Sequence, residues 1–387
     1  MKIENLKNKK TIILIKILFS TTSFDTIDNG PALFANLVYT NLLDSKDFDL
    51  RILTEDIIGN EKEQIINLDL QQSKYNIFFY QFIRVYRYHR QAIKIRKKFK
   101  FDIIVYNNAF TAFLSVIFLK VPVIVMINDY ERLILKNENF SFKKSYFKNI
   151  VLSFLEKTAA KNSKIVIVNS EFMKIKISKA YNIESSKLNI LIKGIDLSKY
   201  KFRLREKMSN NIQVLFVKAD YKRGRLINVV NAIKSISRYN IKLVVIGPPK
   251  HELNNVREIL DLSGISYELN GPMRPEKVRN YFNTCDIFCL PPIKEALGVA
   301  NMEALASGLP VITSNVGGIP EVLDNGKCGW IIEPENSHQL KHALMECIEN
   351  DKMRIAKSLY GKEFVTKFNS NDLIKNFTEI LKMGNRI

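Results

Sequence analysis

A chain of 387 residues, 46% hydrophobic and 25% charged, is too apolar for a disordered protein and long enough for two domains that each bury a core. Its 59 Lys and Arg against 39 Asp and Glu give a net charge of +20, which favours polyanionic partners without choosing among them. No apolar run reaches the roughly 20 residues of a spanning helix, so the sequence predicts at most peripheral membrane contact.

The N-terminus combines a basic tail, MKIENLKNKK, with the apolar run TIILIKILFS. This pattern is superficially like a secretory signal. However, Lys16 interrupts the apolar run and no small-residue cleavage site follows it. We therefore interpret the segment as a tail followed by the first buried strand.

Short runs rich in β-branched residues alternate with helical patterns along the chain. In order they are IILIKILF, DLRILT, FDIIVYN, PVIVMIN, KIVIVNS, IQVLFVK, KLVVIG, DIFCLPP, PVITSNV and GWIIEP. Near-continuous apolar strands between helices predict parallel sheets covered on both faces. A polar stretch at 199–211 interrupts the series and predicts a linker between two α/β domains. Because such sheets bind ligands beyond the carboxyl ends of their strands, we expect a cleft between the domains.

One segment concentrates the positive charge, since residues 77–101 contain no acidic residue. Helical spacing predicts that one face packs on the first sheet through Phe82, Val85, Tyr86, His89 and Ile93. The face largely opposite is basic and carries Arg84, Arg87, Lys94 and Lys98. We expect this basic face to bind an anionic membrane surface or a lipid diphosphate.

The segment DIFCLPPIKEALGVANMEALASGLPVITSNVGGIPEVL reads as strand, loop, helix, turn, strand, glycine pair and helix. Seven residues separate Glu295 from Glu303, and Gly298 lies between them. If a helix begins near Gly298, Glu295 precedes it and Glu303 projects from its second turn. The backbone N–H groups of Leu297, Gly298 and Val299 would then stabilise an anion such as a diphosphate.

This segment resembles the donor-binding signature of the retaining glycosyltransferases of family 4, the group 1 glycosyl transferases, with their E-x7-E motif. The resemblance implies the GT-B fold, in which two Rossmann-like, doubly wound parallel-sheet domains face a cleft and the C-terminal helix crosses back. Together with the linker, it predicts an acceptor-side domain over 1–203, which helix 367–387 joins, and a nucleotide-sugar domain over 204–366.

The resemblance also implies roles for individual residues. Glu303 would accept hydrogen bonds from the ribose hydroxyls, and Glu295 would hold the transferred sugar. VLFVKADYKRG is similar to the family's diphosphate-binding strand and loop, although relatives carry the two cations in the opposite order. Lys218 and Arg223 would neutralise the diphosphate, with Lys222 as the alternative under a shifted alignment.

Two further loops resemble the family's first domain. TTSFDTIDNGPALF is similar to its glycine-rich loop near the donor phosphate, where only Gly30 remains of the usual glycine pair. In VMINDYERL, Asn128 and Asp129 stand where relatives often carry His-Asp, which implies contact with the sugar or the acceptor. An asparagine can bind a sugar hydroxyl but cannot titrate near neutral pH. The predicted catalytic set is therefore Glu295, Asp129 and Asn128.

The resulting hypothesis is a retaining hexosyltransferase that uses a UDP- or GDP-sugar. Its acceptor would be a lipid-linked or cell-surface polysaccharide or lipopolysaccharide glycan, and it would lie peripherally on the inner face of the cell membrane. The four cysteines and four histidines suggest no metal set, so we expect neither metal nor cofactor. A catalytically idle subunit and a sugar-nucleotide epimerase or hydrolase of the same architecture are the alternatives. No nucleic-acid recognition module is evident.

Overall fold

A computed structural model of the protein describes residues 14–24, 30–55, 63–68, 77–130, 133 and 144–386. The predicted basic tail lies outside the described residues, as does part of the loop before Gly30. The chain divides into two compact units. The first comprises Met1–Val168, Ile177–Asn189 and Asn376–Ile387, and the second comprises Asn169–Lys176 and Ile190–Lys375.

The first unit contains a seven-stranded sheet with helices. Its strands are β1 (Ile15–Ser20), β2 (Phe48–Thr54), β3 (Ile65–Asn67), β4 (Ile103–Tyr106), β5 (Val123–Ile127), β6 (Ile165–Val168) and β7 (Leu188–Ile190). The helices of this part of the chain are α1 (Gly30–Leu42), α2 (Ile77–Lys98), α3 (Phe113–Phe118), α4 (Lys144–Asn162) and α5 (Glu171–Tyr181). The strand order is β3-β2-β1-β4-β5-β6-β7, and β1 pairs in parallel with both β2 and β4.

The second unit contains a six-stranded sheet. Its strands are β8 (Asn211–Val217), β9 (Asn240–Ile246), β10 (Ser266–Asn270), β11 (Ile287–Leu290), β12 (Val311–Ser314) and β13 (Trp330–Ile332). The helices that follow are α6 (Leu226–Lys234), α7 (Leu253–Ser263), α8 (Pro275–Thr284), α9 (Val299–Ala306), α10 (Ile319–Val322), α11 (Ser337–Glu349), α12 (Asp351–Phe364) and α13 (Ser370–Asn385). The strand order is β10-β9-β8-β11-β12-β13, with parallel pairing throughout.

The predicted fold class is confirmed, because each unit has a parallel sheet of near-continuous apolar strands with helices. Strands β4, β5, β6, β11 and β12 are buried along their whole length, as expected for sheets covered on both faces. The C-terminal helix α13 ends in the first unit, where the buried Phe377 ring contacts Phe19 and Phe34 at 6.1 and 5.3 Å between centroids. Lys382 there pairs with Asp47 at 2.7 Å.

The stretch predicted to be a linker, 199–211, belongs to the second unit, and its residues are mostly exposed, with one buried exception. Arg205 is buried and donates hydrogen bonds to the backbone carbonyls of Ser307 at 2.6 Å and Phe282 at 2.8 Å. The buried Arg354 in turn donates to the carbonyl of Arg205 at 2.9 Å. The burial of Arg205 could not be predicted from this charged stretch, because a guanidinium that donates to backbone carbonyls leaves no hydrophobic pattern in the sequence.

The predicted packing face of α2 is wrong in three positions. Helix α2 is buried through Val85, Tyr88, Ala92 and Ile95, whereas Phe82, Tyr86 and Ile93 are 43%, 53% and 40% exposed. Arg84, predicted on the basic face, instead lies inward and forms a two-point ion pair with Glu55 at 2.6 and 2.8 Å. The helix has apolar residues on two sides, so periodicity alone could not decide which side faces the sheet.

Candidate active site

In the second unit, three neighbouring strands deliver the predicted donor-site segments to one edge of the sheet. Lys218 follows β8, the loop with Glu295 follows β11, and the glycine pair follows β12. Strands β8, β11 and β12 are adjacent and parallel, so their carboxyl ends meet at the same edge. This is the edge at which parallel α/β sheets bind ligands.

Helix α9 starts where the sequence predicted. Gly298 precedes it in the left-handed region with φ of 88°, and Val299 is its first residue. A Cβ on Gly298 would lie 2.7 Å from the side-chain nitrogen of Asn301, so glycine is required both for conformation and for space. Leu297 is buried and Val299 is 40% exposed. The first turn of α9 carries no acidic side chain, which leaves its positive end suited to an anion.

The glycine pair supports the loop that carries Glu295. Gly317 has φ of 60°, and a Cβ there would lie 1.5 Å from the carbonyl oxygen of Glu295. At Gly318 a Cβ would lie 2.6 Å from the carbonyl oxygen of Ala296, which accepts a hydrogen bond from the Gly318 N–H at 3.2 Å. The two glycines therefore allow one backbone segment to pass directly against the other.

Glu321, the last charged residue of the motif, has a structural contact in the same unit. Its carboxylate accepts hydrogen bonds from the backbone N–H groups of Glu171 at 2.8 Å and Phe172 at 2.7 Å, at the start of α5. The Ser170 hydroxyl donates to the carbonyl of Ala296 at 3.1 Å. These hydrogen bonds attach residues 169–176 to the loop that carries Glu295 and to helix α10, which carries Glu321.

Lys218 and Glu295 form an ion pair at this edge. The Lys218 Nζ lies 2.6 Å from Glu295 Oε2, and the two side chains are 24% and 20% exposed. The other carboxylate oxygen of Glu295 accepts a hydrogen bond from the N–H of Ala296 at 3.1 Å. Two residues predicted separately, as diphosphate and sugar contacts, are thus brought together by the fold.

The two other predicted cations lie in the loop after Lys218. Arg223 is 3.5 Å from Asp220 and 34% exposed, while Lys222 is 72% exposed and 4.0 Å from Glu252. The glycine of the predicted alignment, Gly224, is needed because a Cβ there would lie 2.6 Å from the Phe216 ring. The less exposed Lys218 is therefore held more firmly than Lys222.

Glu303 has a different environment from Glu295. It is half-buried in the second turn of α9, and its Oε1 accepts a hydrogen bond from the Tyr200 hydroxyl at 2.6 Å. Burial raises the pKa of the Glu303 carboxyl, while the Tyr200 hydrogen bond and the nearby Arg279 act in the opposite direction. The sequence alone assigned a role to neither Tyr200 nor Arg279. No spacing rule links these residues to Glu303.

The first unit places the remaining predicted residues at the carboxyl edge of its own sheet. Asn128 and the half-buried Asp129 follow β5, and the Asn128 side-chain amide donates to the carbonyl of Asn107 at 2.7 Å. The Asn107 amide donates to the Thr21 hydroxyl at 3.2 Å and to the Pro31 carbonyl at 2.9 Å. Asn107, which the sequence analysis missed, therefore joins the ends of three strands to the start of α1.

Gly30 begins α1, and a Cβ built on it would meet no described atom within 4 Å. Its glycine is therefore not required by packing among the described residues. All four cysteines are buried, and none of them forms a disulfide. Within the part of the chain that the structure describes, no group of three or more His, Cys, Asp or Glu side chains is arranged to hold a metal ion. No described helix is both long and apolar enough to cross a bilayer.

Comparison with known proteins agrees with this architecture. The family model for Glycosyltransferase Family 4 matches residues 39–199, and that for Glycosyl transferases group 1 matches residues 198–364. The chain is 27% identical over 260 residues to an uncharacterized glycosyltransferase of Methanocaldococcus jannaschii, covering 65% of each chain. It is also 27% identical over 240 residues to the capsular polysaccharide biosynthesis glycosyltransferase CapM of Staphylococcus aureus, covering 58% of this chain and 63% of that one.

The chain thus spans less than two thirds of the length of these two relatives. Among solved structures, Anabaena HepE in complex with UDP and glucose superposes with a TM-score of 0.71 at 16% identity. The superposition covers 95% of this chain and 100% of the HepE chain. At that identity the likeness concerns the fold. With two family models that together run from residue 39 to residue 364, the chain belongs to the group 1 glycosyltransferases of GT-B fold.

Proposed function

We propose that this protein is a retaining glycosyltransferase that moves a sugar from a nucleoside diphosphate sugar to a glycan acceptor. The observation that carries the proposal is the ion pair of Lys218 with Glu295 beside the glycine-led start of α9. It combines a cation, helix N–H groups and a carboxylate at the ligand-binding edge of a parallel sheet. HepE, which shares the fold, binds UDP and glucose, which supports a UDP-sugar as the first donor to test.

The proposed donor contacts divide along the segment. The diphosphate lies against Lys218, Arg223 and the α9 start, where Leu297, Gly298 and Val299 present backbone N–H groups. Glu303 accepts hydrogen bonds from the ribose hydroxyls. Glu295, one turn before α9, holds the transferred sugar, and binding of the diphosphate draws Lys218 from Glu295 toward the phosphate oxygens.

In the transfer step, the bond between the anomeric carbon and the diphosphate oxygen breaks, and its electron pair leaves with the diphosphate. An acceptor hydroxyl oxygen bonds to the anomeric carbon from the same face, and its proton passes to the departing phosphate oxygen. The negative charge that develops there is met by Lys218, Arg223 and the helix N–H groups. This scheme uses no protein base, no metal and no cofactor.

In the first unit, we propose that the loop at Gly30 lies near the donor phosphate. Asn128 and Asp129 are proposed to contact the sugar or the acceptor. The acceptor class is proposed from the named relative, because CapM acts in capsular polysaccharide biosynthesis. A lipid-linked or cell-surface polysaccharide or lipopolysaccharide glycan is therefore the proposed acceptor.

A thermal-shift screen of UDP, GDP and ADP tests the donor proposal. A nucleotide that binds the native state alone raises the unfolding temperature with its concentration. We expect UDP or GDP to do so, and the matching nucleotide sugar to be consumed only when an acceptor glycan is added. Consumption of the nucleotide sugar without any acceptor would favour the hydrolase or epimerase. Nucleotide binding without turnover of the nucleotide sugar would favour the idle subunit. Binding of none of the three nucleotides would refute the proposal.

We further propose that α2 attaches the protein to the inner face of the cell membrane. Its solvent side carries apolar and basic side chains in adjacent stripes, the first with Phe82, Tyr86 and Ile93, the second with Arg90, Lys94 and Lys98. Phe118, 65% exposed, extends the apolar stripe through its ring contact with His89 at 5.9 Å. Adjacent apolar and cationic stripes suit an interfacial helix on anionic lipid.

Vesicle co-sedimentation tests this attachment. We expect binding to vesicles with anionic lipid, weaker binding to neutral vesicles, and partial release as salt rises, because exposed charges are screened within a Debye length of about 10 Å at 0.1 M. Changing Lys94 and Lys98 to Gln should weaken binding several-fold. Changing the exposed Lys234 and Lys277 of the second unit to Gln is the matched control. Equal binding by both variants would contradict the assignment to α2.

A further inference from the structure

Tyr200 contacts the carboxylate that the proposed function assigns to the ribose. It follows a single helical turn over Leu197–Lys199 in the second unit, and its half-buried side chain extends to α9. Its hydroxyl donates to Glu303 Oε1 at 2.6 Å, which is short for a hydrogen bond between two side chains. Within the described part of the protein, no other side chain donates a hydrogen bond to the Glu303 carboxylate.

The chemistry of this contact restricts what Glu303 can do. A carboxylate has two acceptor oxygens, and a glutamate on a helix can adopt several rotamers. With Oε1 held by Tyr200, the side chain is restricted to one orientation and Oε2 remains as the acceptor for a ligand. Burial and the neighbouring Glu303 raise the pKa of Tyr200, so its hydroxyl stays protonated and can only donate toward this carboxylate.

A third residue completes the group. Arg279, on α8, lies close enough to influence the titration of both Tyr200 and Glu303, and its side chain is 18% exposed. Its guanidinium favours the ionised form of Glu303, whereas burial opposes it. Arg279 also forms an ion pair with Glu276 at 3.3 Å, so it is not committed to Glu303 alone.

We propose that Tyr200 is a positioning residue that fixes Glu303 so that its second oxygen binds the ribose hydroxyls, which gives the site preference for ribonucleotides over deoxynucleotides. The inference rests on the proposed function, because it needs a nucleotide in the site. The inference goes beyond the proposed function because it assigns specificity for the ribose of the nucleotide to a tyrosine hydroxyl that does not touch the ligand.

A binding cycle tests the inference. Calorimetry would measure UDP and GDP, and the 2′,3′-dideoxy form of whichever binds, against the wild type, Tyr200→Phe, Glu303→Ala and the double variant. We expect Tyr200→Phe to weaken ribonucleotide binding by roughly three- to tenfold. The loss should vanish for the dideoxy nucleotide and in the Glu303→Ala background, because two residues that act on one contact are not additive.

Tyr239→Phe is the matched control, since Tyr239 also donates to a carboxylate of the second unit, Glu349 at 3.1 Å, outside the proposed site. It should leave nucleotide binding unchanged, and thermal unfolding should establish that each variant is folded. An equal loss for ribo and dideoxy forms, or additivity with Glu303→Ala, would overturn the positioning role. If Glu303→Ala weakens ribonucleotide binding and Tyr200→Phe leaves it unchanged, this inference alone is overturned. A wild type that binds none of UDP, GDP and ADP would overturn the proposed function with it.

Discussion

The two glutamates of one short segment lie in contrasting environments. Glu295, in the loop before α9, is paired with Lys218, and its backbone carbonyl passes directly against Gly317. Glu303, inside α9, is held by the hydroxyl of Tyr200 and has its carboxyl pKa raised by burial. The same side chain, repeated after seven residues, therefore carries out different tasks because one copy precedes the helix and the other belongs to it.

The largest effect on activity is expected for Glu295, in the loop before α9. Glu295→Ala should reduce the rate of sugar transfer roughly a hundredfold, because positioning of the transferred sugar matters most in the transition state. Its effect on nucleotide affinity should be nil or a modest gain, since the change releases Lys218 from its ion pair. Initial rates with the donor identified by the screen, beside calorimetric titration of the nucleotide, measure both. Full activity of this variant would remove Glu295 from the site.

The second effect separates the three cations. Lys218→Ala should weaken nucleoside diphosphate binding roughly ten- to a hundredfold, because it removes a charge-assisted contact from a mostly enclosed side chain. Arg223→Ala should give a smaller loss, and Lys222→Ala, at 72% exposed, the smallest. Calorimetry on the three variants establishes the order. A larger loss for Lys222 than for Lys218 would mean that the shifted alignment is correct.

The smallest effect concerns pH at Glu303. Burial raises its pKa, so the carboxyl takes up a proton at a higher pH than an exposed glutamate, and nucleotide affinity should begin to fall there as pH decreases. The ionised carboxyl should also destabilise the folded state above that pKa, so Glu303→Gln should unfold at an equal or higher temperature at neutral pH. The ratio of wild-type to Glu303→Gln affinity, measured across pH, removes the titration of the nucleotide itself. A ratio independent of pH would contradict this account of Glu303.

The sequence predicted the inner strands well and missed three strands at the sheet edges. Strands β3, β7 and β10 are edge strands with the sequences IIN, LNI and SYELN, which are short or mixed polar and apolar. An edge strand needs no continuous apolar run, because it has a partner on one side only. The edge strand β13 was found, since GWIIEP retains an apolar run.

For the candidate site, the sequence located the segments but not their contacts. The spacing of Glu295 and Glu303 and the position of Gly298 could be interpreted because helix geometry relates residues that are close in sequence. The Lys218–Glu295 pair joins residues far apart in the chain, and Tyr200 reaches Glu303 from a segment that precedes β8. Such contacts depend on the order of strands in the sheet, which one sequence does not encode in any local pattern.

The division of roles between the two glutamates is tested most directly by calorimetric titration of UDP and GDP against the wild type, Glu295→Ala and Glu303→Ala. Glu303→Ala should lower the affinity for the free nucleotide by roughly ten- to a hundredfold, because a ribose hydrogen bond to a charged acceptor is lost. Glu295→Ala should keep the wild-type affinity or exceed it slightly. Equal losses in the two variants, or a loss confined to Glu295→Ala, would contradict the account.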